Sequence, residues 1–241
     1  MVISTFSVYT HAKTRARTTS THLTDRNDAT TSLHQPFWYE VIAHNGESSY
    51  LDSSQKPNYK VFRNVVTDFG ADSTGQRDTS TAIQDAITAG PSNGPGRDTK
   101  QLGTTSQPAI VYLPSGTYLL RNSLQLYLGT VVVGNPLNPP VLKAATGFRT
   151  NFVVRAKDPN YGGTDNFFVG LKNVVIDSTD VDPDQTLTLL DWTVSQATQL
   201  TNVLFNMPEG STGHTGLGTM SDSNSNLILV SCIDIFCSVR A

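Results

Sequence analysis

Two stretches decide the fold: Leu171-Lys172-Asn173-Val174-Val175-Ile176-Asp177 and Leu200-Thr201-Asn202-Val203-Leu204-Phe205-Asn206. Each reads as a short apolar strand with an asparagine at its third place. The asparagines, 173 and 202, stand 29 residues apart, and Asn226-Leu227-Ile228-Leu229 begins 24 further on. Short strands that return at roughly 20–30 residues predict a parallel β-helix, because one coil cannot bury its apolar side alone and stacked coils can. An asparagine at a fixed corner suits such a stack. It tolerates a left-handed backbone, and its amide can bond the coils above and below. An antiparallel sandwich also repeats its strands, but usually every ~8–12 residues. The spacing favours coils.

Working outward, further strands are expected at 124–128, 130–133, 151–155, 167–176, 187–194, 200–206 and 226–231, with no second helix among them. Ala109-Ile110-Val111-Tyr112-Leu113 reads as a buried strand, Pro114-Ser115-Gly116 as a turn, and Thr117-Tyr118-Leu119-Leu120 as a strand. A long loop, 91–107, precedes them. Ahead of it the spacing of Ala82, Ile83, Ala86 and Ile87 predicts a helix from Ser80 to Ala89, stopped by Gly90-Pro91. Asp78 or Thr79 can accept its first amide hydrogens. The run Asp68 to Thr79 is rich in turn residues, and 59–65 alternates as a strand. From residue 60 onward, roughly 25 residues per coil gives about seven coils.

The chain has 241 residues with 17 Lys+Arg and 20 Asp+Glu, a net charge of −3. That length suits one domain with a substantial core. A slightly acidic chain without a basic patch is a poor nucleic-acid binder. No apolar stretch approaches the ~18 residues of a membrane helix. Residues 1–35 hold 13 Ser or Thr and no apolar run of signal-peptide type, so they read as a disordered head. The expected organisation is a head (1–35), a β-helix domain (36–220) and an atypical tail (221–241). Cys232 and Cys237, five apart on an extended segment, stand ~16 Å from each other, too far to bridge without a turn.

The run Asp68-Phe69-Gly70-Ala71, Asp78-Thr79 and Ala82 to Ile87, with Val111-Tyr112-Leu113-Pro114-Ser115-Gly116-Thr117-Tyr118, resembles the opening of the pectate-lyase-like right-handed β-helix superfamily. There a helix caps the first coil. Three more segments are similar to the exo-β-1,3-glucanases of glycoside hydrolase family 55: Phe37-Trp38-Tyr39-Glu40 with His44-Asn45-Gly46, Tyr127 to Pro136 with Pro140 to Lys143, and Trp192 to Val203. The resemblance implies an all-β, right-handed, single-stranded parallel β-helix with an N-terminal capping helix. It also implies an inverting glycoside hydrolase acting on β-1,3-glucan or a related polysaccharide, in an extracellular setting. Members of that family are longer, and the resemblance places their general acid in a second half. The chain is therefore expected to be a shortened first β-helix, catalytically incomplete alone, with no catalytic residue assigned.

Inverting hydrolysis needs two carboxyl groups roughly 6.5–9.5 Å apart. Asp177, Asp180, Asp182 and Asp184 are the densest acidic group. They can line a sugar cleft or bind calcium, but a solvated loop with Asp-Pro turn chemistry is the favoured reading. Asp68, Asp72 and Asp78 read as turn and cap residues, Glu40 and Glu47 as packing or surface, and Asp191 as open to either side. Trp192 and Gln196 are the candidate substrate-binding pair. On a period of two they share one face, where an indole can stack on a sugar and an amide can hold water or a hydroxyl. The residues alone favour a core Trp192, and the resemblance gives Gln196 a cleft role. His44 and His214 lack a second ligand at metal spacing, so no metal and no cofactor is expected. The alternatives are a stand-alone pectate-lyase-like or rhamnogalacturonase-like enzyme, with Arg155 or Lys172 as base, and a glucan-binding β-helix without catalysis.

Overall fold

The computed structural model describes residues 37–48, 51, 54, 58–91, 96–97, 107–162 and 165–219, and the backbone of 233–239. The expected head, the strand 226–231 with Asn226, Cys232 and most of the loop 91–107 lie outside these residues. A one-turn helix, α1 (Trp38–Val41), comes first. The strands then climb in coils. β1 (Phe62–Asn64) and β2 (Thr74–Asp78) are followed by the helix α2 (Ser80–Thr88). The second coil holds β3 (Ala109–Leu113), β4 (Thr117–Leu120) and β5 (Leu124–Gln125), and the third β6 (Thr130–Gly134), β7 (Val141–Ala144) and β8 (Phe152–Arg155). Then come β9 (Gly170–Asp177) with β10 (Leu187–Asp191), β11 (Gln199–Met207) with β12 (His214–Gly218), and β13 (Ile233–Val239).

Every strand pairing among the described residues is parallel. Three walls result. One runs β1-β3-β6 and on into the first half of β9 and β11; a second runs β2-β4-β7 into their second halves; the third is β5-β8-β10-β12. The molecule is a parallel β-helix. Register stacks like on like: Val111, Val132, Leu171 and Leu200 form one inward column, and Tyr118, Leu142, Ile176 and Phe205 another. All eight are buried. Each fully buried side chain of this kind contributes about 1.5–3 kcal/mol, so neighbouring coils hold each other by their interior.

Asparagine makes the corner between the first two walls. Asn173 and Asn202 both sit in the left-handed region, with φ of 55° and 51°. Asn202 Nδ2 donates to Asn173 Oδ1 at 3.1 Å, and Asn173 Nδ2 donates to the Gly134 carbonyl at 3.3 Å. In the third coil a loop between β6 and β7 turns this corner. In the next two coils a single residue does it, and β9 and β11 bend without breaking. Gly134 makes the approach possible: a Cβ there would lie 2.0 Å from the Asn173 carbonyl oxygen.

The helix α2 closes the bottom. Ile83, Ala86 and Ile87 are buried, as their spacing predicts. Gln84 stands in for a missing strand, since its amide donates to the Gln125 carbonyl (3.1 Å) and accepts the Gln125 N–H (2.8 Å), satisfying the open edge of β5. Asp78 accepts from the Ser80 amide and hydroxyl at the helix start, whereas the Thr79 hydroxyl turns to the Leu119 carbonyl. At the other end two buried arginines collect orphan carbonyls. Arg63 donates to Ala86 O (2.9 Å), Ile87 O (3.4 Å) and Ala89 O (2.8 Å). Arg97 donates to Ile87 O, Gln107 O, Leu128 O and the Thr130 hydroxyl. Burial pulls the Arg97 pKa down to about 10, so the guanidinium stays charged at neutral pH. Cations belong at a helix C-terminus, where the last carbonyls carry partial negative charge.

The structure adds strands that the sequence did not announce. β2 (Thr-Gly-Gln-Arg-Asp) is almost wholly exposed and pairs only β4, so it carries no apolar alternation. β12 is glycine-rich, and β7 follows two prolines. The strand expected at 187–194 stops at Asp191. The ladder sets a stability prediction. Asn202→Ala places an ordinary side chain at φ near +51° and should cost about 1–2 kcal/mol in urea denaturation. Asn202→Gly, which keeps the left-handed freedom and loses only the amide bond, should cost less.

Candidate functional site

Among the described residues, one larger and one smaller depression on the outer surface of the first wall bear on the candidate site. The larger, about 520 Å³, opens beside β1 and is lined by His44, Glu47, Lys60, Phe62 and Asp68 among others. Glu40 and His44 on its rim hold residues 37–48 against the wall. The Tyr112 hydroxyl donates to Glu40 Oε1 at 2.6 Å, and burial, then that bond, pushes the Tyr112 hydroxyl well above its ordinary pKa. Asn135 Nδ2 reaches the same oxygen at 3.4 Å. The His44 ring stacks on Phe62 with centroids 3.3 Å apart, and its Nε2 donates to the Tyr39 carbonyl at 2.7 Å. Asn64 and Asp68 close the adjoining turn. This depression is a seam.

The smaller depression, about 260 Å³, lies at the corner where the third wall returns to the first. Two successive coils build it. Ser195 N–H bonds the Asn166 carbonyl (2.9 Å), Gln199 N–H bonds the Val169 carbonyl (3.0 Å), and the Thr198 hydroxyl bonds the Ser195 carbonyl (2.9 Å). Val131, Gly170 and Gln199 stand in register on three neighbouring strands. Gly170 is buried between them, and Val131 leans over it, so that a Cβ there would meet Val131 Cγ1 at 3.0 Å. Phe168 and Ala197 flank the depression, and both sit in the left-handed region, with φ of 56° and 54°.

Gln196 is exposed on this corner, next to Ala197. Trp192 is not on the same surface. It is 1% exposed and packs in the core, with its indole Nε1 lacking a hydrogen-bond partner. The alternation that would give the two residues one face ends with β10 at Asp191, so Trp192 turns in and Gln196 turns out. Phe168, Gly170 and Gln199 escaped the sequence reading. Their one signal was the 29-residue offset, which aligns Phe168 with Ala197 and Gly170 with Gln199.

The acidic loop resolves into turn chemistry. Asp177 accepts from Thr179 N–H and hydroxyl, and from Asn206. Asp182 accepts from Asp184 N–H, Asp184 from the Thr212 hydroxyl, and Asp180 pairs with Lys143 at 2.8 Å. His214 sits between the Ser178 hydroxyl and the Asp182 carbonyl. Asp191 is buried and held by Arg155 (3.2 Å) and the Thr193 hydroxyl (2.6 Å). Lys172 lies on the first wall, in register with Val133 and Thr201. Among the described residues no three His, Cys, Asp or Glu converge as metal ligands. Two carboxyls are shifted toward the charged form. Thr74's hydroxyl and amide, with the Arg77 amide, hold Asp72 at about 2. Burial opposes the charge of Asp78, yet Ser80 and the Arg121 amide outweigh it and hold its pKa down.

Coils, capping helix and wall order together define a pectate-lyase-like β-helix. Residues 62–238 match the family described as rhamnogalacturonase A/epimerase, pectate lyase-like, and the chain belongs to it. A glucan 1,3-β-glucosidase of Cochliobolus carbonum is 32% identical over 218 residues, which is 87% of this chain and 27% of that protein. A glucan endo-1,3-β-glucosidase of Trichoderma harzianum is 35% identical over 173 residues, covering 70% of this chain and 21% of the relative. A protein of Penicillium expansum named as a non-secreted LysM effector is 32% identical over 195 residues, 78% of this chain and 15% of its own length. The chain thus spans about a quarter or less of the relatives it matches.

Asp72 sets a pH prediction. Its carboxyl titrates near 3.8 when free and near 2 in the fold, so its contribution is complete above about pH 4 and is lost as pH falls through about 2. Asp72→Asn should be less stable than the parent at pH 7. Urea titrations at pH 7, 3 and 2 should show that gap closing toward the acid end.

Proposed function

We propose that the chain is a β-1,3-glucan-binding β-helix of glucanase type, with its binding face at the corner that carries Gln196. One observation carries this reading: the stretch shared with a glucan 1,3-β-glucosidase covers 87% of the chain, including the coils that build the corner. In this role Gln196 offers an exposed amide, both donor and acceptor, to a sugar hydroxyl or a bound water. Trp192 packs beneath and supports the corner from within.

We further propose that the chain alone does not hydrolyse glucan. Inversion needs one protonated carboxyl and one carboxylate on opposite sides of the bond. The described acids near the acidic loop and on β10 are engaged in turns or ion pairs instead. An extracellular location is part of the same proposal. No described helix is long and apolar enough to cross a membrane.

Titration calorimetry with laminarin, a soluble β-1,3-glucan, tests the reading. Saturable binding, on the order of Kd 1 mM or tighter, with no reducing sugar released on long incubation is the expected result. Sugar release abolished by replacing a single Asp or Glu of this chain overturns the non-catalytic part. Calcium-dependent formation of unsaturated products from an acidic polysaccharide, without laminarin binding, overturns the whole.

A further inference from the structure

We infer that Phe168 is the sugar-stacking platform of this corner, with Gln199 beside it as the polar partner of the same pyranose ring. The inference rests on the glucan reading above and adds residues that reading did not contain. Three observations support it. First, Phe168 is 46% exposed although it is a large apolar residue, and it forms one wall of the depression. Its ring leans on Phe167, with centroids 6.3 Å apart.

Second, its backbone is held at φ 56°, where a bulky side chain is an outlier and glycine or asparagine is the usual occupant. The fold does not ask for an aromatic here. One coil later the same corner, at φ 54°, is made by Ala197. The phenyl group is strained and solvent-facing, and the neighbouring coil turns the same corner without one. Strain of this kind is found at binding sites.

Third, Phe168, Ala197 and Gln199 together line the depression of about 260 Å³, so the phenyl group and a side-chain amide face one space. Gln199, the register neighbour of Gly170 on the next coil, brings an amide to the upper edge for ring hydroxyls. The apolar C–H face of a β-linked glucose unit matches the phenyl face, and its equatorial hydroxyls match the amide.

The test compares laminarin affinity and thermal stability for the parent chain, Phe168→Gly, Phe168→Asn, Gln199→Ala and Trp38→Ala. Both Phe168 variants should bind at least about tenfold more weakly. They should melt at or above the parent temperature, because each relieves the left-handed strain. Gln199→Ala, at an exposed position, should weaken binding without lowering the melting temperature. Trp38→Ala removes a surface aromatic that is 61% exposed and lies away from this corner, and it should bind like the parent. Parent binding with unchanged affinity in both folded Phe168 variants overturns the inference and leaves the glucan reading standing. No laminarin binding by the parent overturns both.

Discussion

The contact on which the rest depends is small: Asn202 gives its amide hydrogen to Asn173, 29 residues earlier, with both backbones left-handed. That bond fixes which residue lies above which. Once 202 is over 173, Leu200 falls over Leu171, Phe205 over Ile176, and Gln199 over Gly170. The first two pairs build the core and the last builds the surface depression. A slip of one residue would send the apolar column outward, since strand side chains alternate between faces. Packing and site therefore share one register.

A stack of coils has two ends, and the lower one shows how an open strand edge is managed. The backbone groups of Gln125 would otherwise face nothing, and Gln84 pairs them as a strand would. The price of ending α2 inside the molecule is a set of unpaired carbonyls. Arg63 and Arg97 meet these with hydrogen bonds to backbone carbonyls. Arg63 stands in register with Val111, at the foot of an otherwise aliphatic column. A charge is tolerated there only because the helix C-terminus lies within its reach.

Much of this was legible in the residues. The asparagine spacing gave the corner at 173 and 202, the 3-4 apolar pattern gave α2, and the strands expected at 109–113, 117–120 and 130–133 are found there. What failed to show did so for a physical reason. β2 is exposed along its length and looks like a turn. The buried arginines look like surface residues, because nothing in local sequence says that a helix end lies overhead. The site was half legible. Kinship made Gln196 a candidate, and the structure leaves it exposed, but its pairing with Trp192 assumed a strand that ends one residue before the tryptophan. Phe168 carries no motif: its exposure and its left-handed backbone angle are features that only coordinates display.

The stacking itself is most directly tested by a designed cross-link. Lys172 and Thr201 are register partners on adjacent coils. With Cys232 and Cys237 changed to serine, the double variant Lys172→Cys, Thr201→Cys should oxidise to an intramolecular disulfide, found by mass spectrometry of peptides cut at the aspartates between the two positions. Residues paired in register lie within the ~4.4–6.8 Å Cα span that a disulfide bridges. A pair that stays reduced, or links only between molecules, would contradict the coil register and with it the placement of Phe168, Gly170 and Gln199.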